Sequence, residues 1–412
     1  MIYVILVGVV LGYALLTGYA LQALKVLRTT KAIRYLFVLL SAGIILNVFW
    51  QWTQRDERVW TSVQLYSMGA LLTWALTLAT LSLALFIEDI QRFINLLVKR
   101  KQRKTEVTSR RKFVSLLGLG MAAIPFASMI YGMTKGKYHF KVWKHTLYFD
   151  DLPEAFNGFK ITQISDIHSG SFDNEDKIRY AIDLINEQKS NIITFTGDMV
   201  NNLASEMLPW KDIFKNLHAP EGLFAVLGNH DYGDYSSWES PKAKAQNLQL
   251  LKDIQAEIGF DLLLNEHRYI EKAGQRIALI GVENWGYGRF SKYGDLEKAL
   301  KNTHEKDFKI LLSHDPTHWQ FQVIPQQKNI HLTLSGHTHG MQFGIEIPGW
   351  LRWSPSQWKY KYWAGIYQQN GKFLNVNRGF GFLAFPGRVG IWPEITVIEL
   401  KGKSKKTKRQ RK

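Results

Sequence analysis

Residues 159–168 read Phe-Lys-Ile-Thr-Gln-Ile-Ser-Asp-Ile-His. The first six, Phe159–Ile164, have the short, β-branched, apolar character of a buried strand, and the strand runs straight into Asp166 and His168. In extended chain, positions i and i+2 face one side, so the pair can grip one ion. The same order recurs four times downstream. Ile192–Thr196 leads into Gly197-Asp198, and Leu223–Leu227 into Gly228-Asn229-His230-Asp231. Phe308–Leu312 leads into Ser313-His314-Asp315, and Ile330–Leu334 into Gly336-His337-Thr338-His339. Gly197 allows close backbone approach to such a site. Another apolar run, Ile277–Val282, reads as a strand, while Glu175–Gln188, Lys242–Ile258 and Gly294–Thr303 read as helices. Strand–helix alternation implies an α/β fold on a central sheet or pair of sheets, with ligands gathered at the strands' carboxyl ends. Mixed carboxylate, amide and imidazole donors suit borderline divalent metals such as Mn, Fe or Zn.

The chain has 412 residues, 46% of them hydrophobic, and no cysteine. Thiol nucleophiles, disulfides and Cys-ligated metal centres are therefore excluded. The net charge of +17 is unevenly placed. Residues 1–112 carry 15 basic against 5 acidic residues, and residues 401–412 carry 8 basic residues and no acid. The body between them is close to neutral, so a nucleic-acid-binding module is not expected. The basic tail, 401–412, reads as a solvated segment able to attract anionic lipid.

Four apolar stretches, about 2–24, 35–52, 66–87 and 113–133, are long enough and uniform enough to be transmembrane helices. Basic residues crowd the first and third loops, which places those loops in the cytoplasm and everything after Met133 on the outer face. Ser109-Arg110-Arg111-Lys112-Phe113 resembles a twin-arginine export signal, with the fourth helix expected to stay as an uncleaved anchor. The first three spans contain no Asp or Glu, so the usual intramembrane carboxylates of an ion pathway are not expected.

The ordered blocks Asp-x-His, Gly-Asp, Gly-Asn-His-Asp, a solitary His and Gly-His-x-His resemble the signature of the metallophosphoesterase (calcineurin-like phosphoesterase) superfamily. The lead-in around Leu152-Pro153 and Gly158–Ile161, with the close at Pro393-Glu394-Ile395, is similar to its bacterial membrane-anchored branch. The resemblance covers about residues 140–400. It implies a double β-sheet sandwich flanked by helices, following an all-α membrane region of four transmembrane helices. The expected organisation is membrane region 1–134, phosphoesterase domain 135–400 and tail 401–412.

The resemblance also implies two divalent metal ions. One would be held by Asp166, His168, Asp198 and His339, the other by Asp198, Asn229, His314 and His337, with Asp198 shared. Such a pair polarises a phosphoryl oxygen and activates water. His230 would donate to phosphate oxygen or serve as general acid, and Asp231 is a candidate to orient it. Protein phosphatases of the superfamily follow Gly-Asp with Asp and Arg, whereas this chain has Met199-Val200-Asn201-Asn202, which argues against that activity. Met341, where paired glycines are common, would narrow the approach.

The Trp-rich segment 349–365, with Arg352, Lys359 and Lys361, suits either a lipid-facing wall or a packed hairpin cap. Trp285 and Tyr287 are expected near the same cleft, and Arg378 and Arg388 could meet a diphosphate or be surface charge. The expected activity is phosphodiester or pyrophosphate hydrolysis at the inner (cytoplasmic) membrane, with a lipid-linked or envelope substrate and the lipid bilayer as partner. Two alternatives remain open: an exported phosphoesterase acting on soluble nucleotides, and a non-catalytic membrane scaffold or sensor that binds ligand without turnover.

Overall fold

The computed structural model describes residues 2–54, 56, 58–98, 104–326, 328–347 and 349–403. Most of the basic tail, 404–412, and part of the basic third loop, 99–103, lie outside the described residues. The chain divides into two compact units: Met1–Arg55 with Thr61–Thr134 and Phe385–Gly387, and Asp56–Trp60 with Lys135–Ala384 and Arg388–Lys412.

The first unit is built from α1 (Ile2–Val26), α2 (Lys31–Thr53), α3 (Ser62–Leu97) and α4 (Lys104–Thr134). All four are long and apolar enough to cross a membrane. Thr30 caps α2 through the amide of Ile33, and a Thr61–Gln64 capping box starts α3. Tyr13, Ala20, Ala23, Leu78, Leu81, Leu85 and Ala122 pack inside, while Leu15, Leu36, Leu39 and Leu83 stay exposed, as hydrocarbon solvent permits.

The third helix runs ten residues beyond its expected end at Ile87, and so it contains Glu88 and Asp89. Helix continues there because the charges are paired. Arg110 Nη2 lies 3.2 Å from Glu88, and Arg111 Nη1 3.0 Å from Asp89. Tyr19 donates to Asp89 at 2.5 Å, and Arg111 donates to Gln22 at 2.7 Å. The twin arginines thus join α1, α3 and α4 within this unit.

The second unit contains β1 (Lys141–Phe149), β2 (Lys160–Ile164), α5 (Glu175–Asn186), β3 (Ile192–Phe195), α6 (Lys211–Phe214), β4 (Leu223–Ala225) and α7 (Pro241–Ile258). There follow β5 (Phe260–Leu262), β6 (Glu266–Lys272), β7 (Gln275–Gly281), α8 (Leu296–Leu300), β8 (Phe308–Leu312) and β9 (Leu332–Ser335). The remainder is β10 (Ile345–Ile347), β11 (Leu351–Trp353), β12 (Gly365–Gln369), β13 (Lys372–Val376) and β14 (Glu394–Gly402).

These strands form two six-stranded sheets, in the orders β1-β14-β2-β3-β4-β5 and β12-β13-β9-β8-β7-β6, plus the two-stranded ribbon β10-β11. The second unit is therefore α/β, as its strand–helix alternation implied, and has the double sheet that the family resemblance implied. Phe159, Ile161, Ile192, Leu279, Ile310, Leu332 and Ile398 fill the layer between the sheets. Ile178, Ile182, Ile185, Leu251, Ile254 and Ile258 of α5 and α7 cover the other face of the first sheet. Asn174, Ser240 and Asp295 cap α5, α7 and α8, and Gly259, at φ 106°, ends α7. Every strand and helix expected between residues 159 and 334 is present. The parallel pair β1–β14, nine residues in register, is the main addition.

Candidate metal centre

The neighbouring strands β2, β3 and β4 run parallel, as do β8 and β9, so their carboxyl ends deliver five loops to one place. The loops do not stay extended. Asp166, His168, Asp198, His337 and His339 all have positive φ, between 47° and 73°. The alternation argument for Asp166 and His168 therefore fails, although the two side chains still meet: tight left-handed turns, not a pleat, aim them inward. Such conformations disfavour residues with a Cβ and concentrate at functional sites. Two glycines make room. A Cβ on Gly228 would lie 2.3 Å from Asp198 Oδ1, and one on Gly336 would lie 2.3 Å from Asp166 Oδ2.

Two donor clusters result, Asp166–His168–His339 and Asp198–His314–His337. In the second, His314 Nε2 lies 3.1 Å from Asp198 Oδ2, 3.1 Å from Asn229 Oδ1 and 3.2 Å from His337 Nδ1. In the first, His339 Nε2 lies 3.1 Å from Asp166 Oδ1 without hydrogen-bond geometry. His168 Nε2 is 3.6 Å from Asp198 Oδ2, so Asp198 lies between the clusters. All seven residues expected to hold metal are gathered here.

The rear of the site fixes which ring nitrogens face inward. His168 Nδ1 meets Asn201 Oδ1 at 3.1 Å, and His314 Nδ1 meets the Thr196 carbonyl at 2.7 Å. Both Nδ1 atoms then carry hydrogen, leaving Nε2 to point inward. His337 Nε2 contacts the Tyr360 hydroxyl at 2.9 Å, and Arg388 Nη2 lies 3.2 Å from His339 Nδ1. His230 Nδ1 donates to the Asn201 carbonyl at 2.7 Å, and the His230 amide donates to Asp198 Oδ1 at 2.8 Å.

The expectation that Asp231 orients His230 is corrected. Asp231 Oδ2 accepts from the amides of Gly228 and Asp198 at 2.8 and 2.9 Å, and Oδ1 accepts from Met199 at 2.7 Å. It braces the loops that present Asp198 and Asn229, and the orienting contact to His230 comes from the Asn201 backbone.

Arg378 and Arg388 are also not at the surface. Arg378 pairs with Glu394 and, at 2.6 Å, with Glu346, while Arg388 is fully buried behind His339. Met341, 41% exposed, is itself in a left-handed turn. Asn201, Thr196 and Tyr360 escaped sequence reading as residues that orient the donors, and Arg388 was expected to meet a diphosphate or solvent, because their contacts run from backbone atoms or from distant loops. Only Asn201, beside Gly-Asp, carried a local signal.

The charge balance is unusual. Burial lowers the affinity of His314 for a proton, but the adjoining Asp198 carboxylate more than offsets it and pushes the imidazole up to about 10. Burial first, and then the neighbouring His339, pushes His168 down, and burial also brings His337 down to about 4. Burial would raise Asp166 and Asp198, but neighbouring histidines, His339 and His314 first, hold both well below the carboxylate range. Asp231 is raised to about 7, by burial first and then by Asp198. Asp198 thus draws positive charge inward.

A divalent ion fits that demand. The Nε2 atoms of His168 and His339 are buried without hydrogen-bond partners, facing carboxylate oxygens, and the donors are the O/N mixture that borderline metals take.

The same residues occur in a recognisable family. A family model described as "Calcineurin-like phosphoesterase" matches residues 159–341. A second, "Probable Calcineurin-like phosphoesterase, transmembrane domain", matches residues 1–137. The metallophosphoesterase YkuE of Bacillus subtilis (strain 168) is 30% identical over 302 residues, covering 71% of this chain and 98% of its own. A metallophosphoesterase of Helicobacter pylori (strain J99 / ATCC 700824) is 25% identical, covering 96% of this chain and 97% of its own. A transmembrane protein with a metallophosphoesterase domain from Danio rerio is 27% identical, covering 76% and 68%. With its ligand clusters and its apolar helices both matched, the chain belongs to the calcineurin-like metallophosphoesterase family, as a membrane-associated member.

Proposed function

We propose that this membrane-associated metallophosphoesterase is a dinuclear hydrolase of phosphodiester or pyrophosphate bonds, acting on a lipid-linked or envelope substrate. The observation that carries the reading is the meeting of two Asp/His clusters at Asp198. Asp166, His168, Asp198 and His339 would hold one divalent ion, and Asp198, Asn229, His314 and His337 the other. When bound, the ions supply Lewis acidity and neutralise charge developing at phosphorus. His230 keeps hydrogen on Nδ1 for the Asn201 carbonyl, so Nε2 is the atom that exchanges a proton with the leaving oxygen. The loops braced by Asp231 hold Asp198 and Asn229 in register.

The lipid reading is supported by the ribbon β10–β11 and the turn after it, where Trp350 and Trp358 are 79% and 77% exposed. Exposed indoles beside Arg and Lys suit a bilayer interface. The basic first and third loops favour a catalytic unit on the outer face of the cytoplasmic membrane, delivered by a twin-arginine signal at Arg110-Arg111. Because the chain has no native cysteine, a single Lys215→Cys label tests the side: a membrane-impermeant maleimide reacts in intact cells if the unit faces outward.

The activity test uses the full chain in detergent with Mn²⁺ and bis(p-nitrophenyl) phosphate, beside Asp198→Asn. Turnover abolished by that change, with loss of bound metal, is expected. A folded wild type that retains two metals but turns over no phosphoester would refute the hydrolase reading. Turnover of soluble nucleotides as fast as lipid diphosphates would remove the lipid assignment alone.

A further inference from the structure

A cavity of about 600 Å³ lies against the His337 end of the donor cluster. Its walls include Tyr287, Arg289, Phe290, Phe321, Lys359 and Tyr360. Two of them also touch the site: the Phe290 ring is 4.6 Å from the His337 ring, and the Tyr360 hydroxyl is 2.9 Å from His337 Nε2. The cavity therefore adjoins the place where a phosphoryl group would be held.

Its electrostatics are one-sided. Arg289 and Lys359 are exposed, line the cavity and form no ion pair among the described residues, as is also true of Lys361. Lys359 Nζ is held by ring faces instead, 4.9 Å from Phe290 and 5.0 Å from Tyr360. The one lining carboxylate, Asp315, is already engaged: it accepts from the Tyr287 amide at 3.1 Å and from the Thr317 amide and hydroxyl at 2.9 and 2.7 Å. Beside the cations runs a flat apolar shelf. Tyr287 stacks on Phe321 at 4.5 Å and is parallel to Trp285, which stacks on His318. Tyr287 and Phe321 remain 51% and 42% exposed, so the shelf is open to a ligand.

Unpaired cations next to an anion-binding centre call for a second anion, and an exposed aromatic shelf calls for a flat or apolar group attached to it. We infer that this cavity receives the second phosphate of a diphosphate substrate, with Arg289 and Lys359 as its recognition residues and the Tyr287–Phe321 shelf for the group beyond it. The inference rests on the hydrolase reading above and narrows it to a P–O–P bond. Water's oxygen bonds to the phosphorus at the donor cluster and the bridging P–O bond breaks. Its electron pair leaves with the second phosphate, and water's protons pass to that phosphate and to solvent. A nucleoside diphosphate and a polyprenyl diphosphate share this chemistry.

The test compares three substrates of the full chain with Mn²⁺ in detergent: bis(p-nitrophenyl) phosphate, P1,P2-di(adenosine-5′) diphosphate, and geranylgeranyl diphosphate. The readout is the ratio of kcat/KM for each diphosphate to that for the nitrophenyl diester, in wild type and in Arg289→Gln/Lys359→Met. Loss of two charge-assisted contacts should lower the ratio about 10- to 100-fold, through KM. Both side chains are exposed, and an unchanged melting curve verifies that the variant is folded. Whichever diphosphate is turned over and loses its advantage supports the inference and names the source, nucleotide or lipid. A ratio unchanged within twofold, or a wild type that cleaves the diester but neither diphosphate, overturns it and leaves the hydrolase reading standing. A wild type inactive on all three refutes the hydrolase reading itself.

Discussion

Replacing Asp231 separates a brace from a chemical participant. Its carboxylate is completely buried and accepts three backbone amides, two on Oδ2 and one on Oδ1. In Asp231→Asn the single oxygen can keep the Gly228 and Asp198 amides, but the new amide group faces the Met199 N–H, donor against donor. One buried unsatisfied N–H costs about 1–3 kcal/mol. At about 2–4 °C per kcal/mol for a unit of this size, the melting temperature should fall by roughly 2–12 °C. Asp231→Ala strands all three amides and should cost about 3–9 kcal/mol. The braced loops carry Asp198 and Asn229, so metal affinity should fall about 10- to 100-fold, as it does when groups that orient ligands are lost. The assay is tryptophan-detected unfolding of the full chain in detergent, with metal content and turnover measured on the same samples across a Mn²⁺ titration. The expected result for Asp231→Asn is a lowered melting temperature with kcat largely recovered at saturating metal. An unchanged melting temperature and full metal content, with turnover down more than a hundredfold, would refute the reasoning and return Asp231 to the chemistry.

Two further outcomes follow from buried charge. Glu206 accepts the amides of Asn201, Asn202 and Leu203, and burial, opposed by those bonds, raises it to about 7. Because the folded value exceeds the unfolded one, its stabilising contribution is complete below pH 4.5 and is lost as pH rises through 7. The stability of wild type relative to Glu206→Gln should therefore fall by about 3 kcal/mol between pH 4.5 and 8, and a difference flat with pH would contradict this. In the helical unit, Glu88→Gln removes the carboxylate that pairs with Arg110 and leaves Arg111 with Asp89. Since both arginines are partly exposed, the expected loss is about 1–3 kcal/mol, below that of a fully buried pair. Thermal aggregation in detergent measures it, and no shift would mean the cluster is held by packing alone.

The five strand-end blocks were legible because each combines a local signal, an apolar strand, with donor residues at its end. Chain order marked the five donor-bearing strand ends, and the family resemblance they carry picked out the seven residues that the fold brings together. The helical spans were legible for the same reason: twenty apolar residues are a property of a segment, not of its neighbours. What failed was any statement that needed partners. The extended geometry assumed for Asp166 and His168 gave way to left-handed turns, which neighbouring loops and Gly336 make possible. The end of α3 was misplaced because Glu88 and Asp89 read as a stop until Arg110 and Arg111 neutralise them.

The division has one physical origin. Strand and helix identity, span length and donor type are written in hydrophobic period and residue chemistry, so they belong to the sequence by itself. Which oxygen faces which amide depends on chain segments tens of residues apart. Thr196 lies 118 residues from His314, and Arg388 lies 49 from His339. Only the tertiary structure decided that Asp231 is a brace, that Asn201 serves two histidines, and that Arg388 is buried behind the site instead of waiting at its mouth.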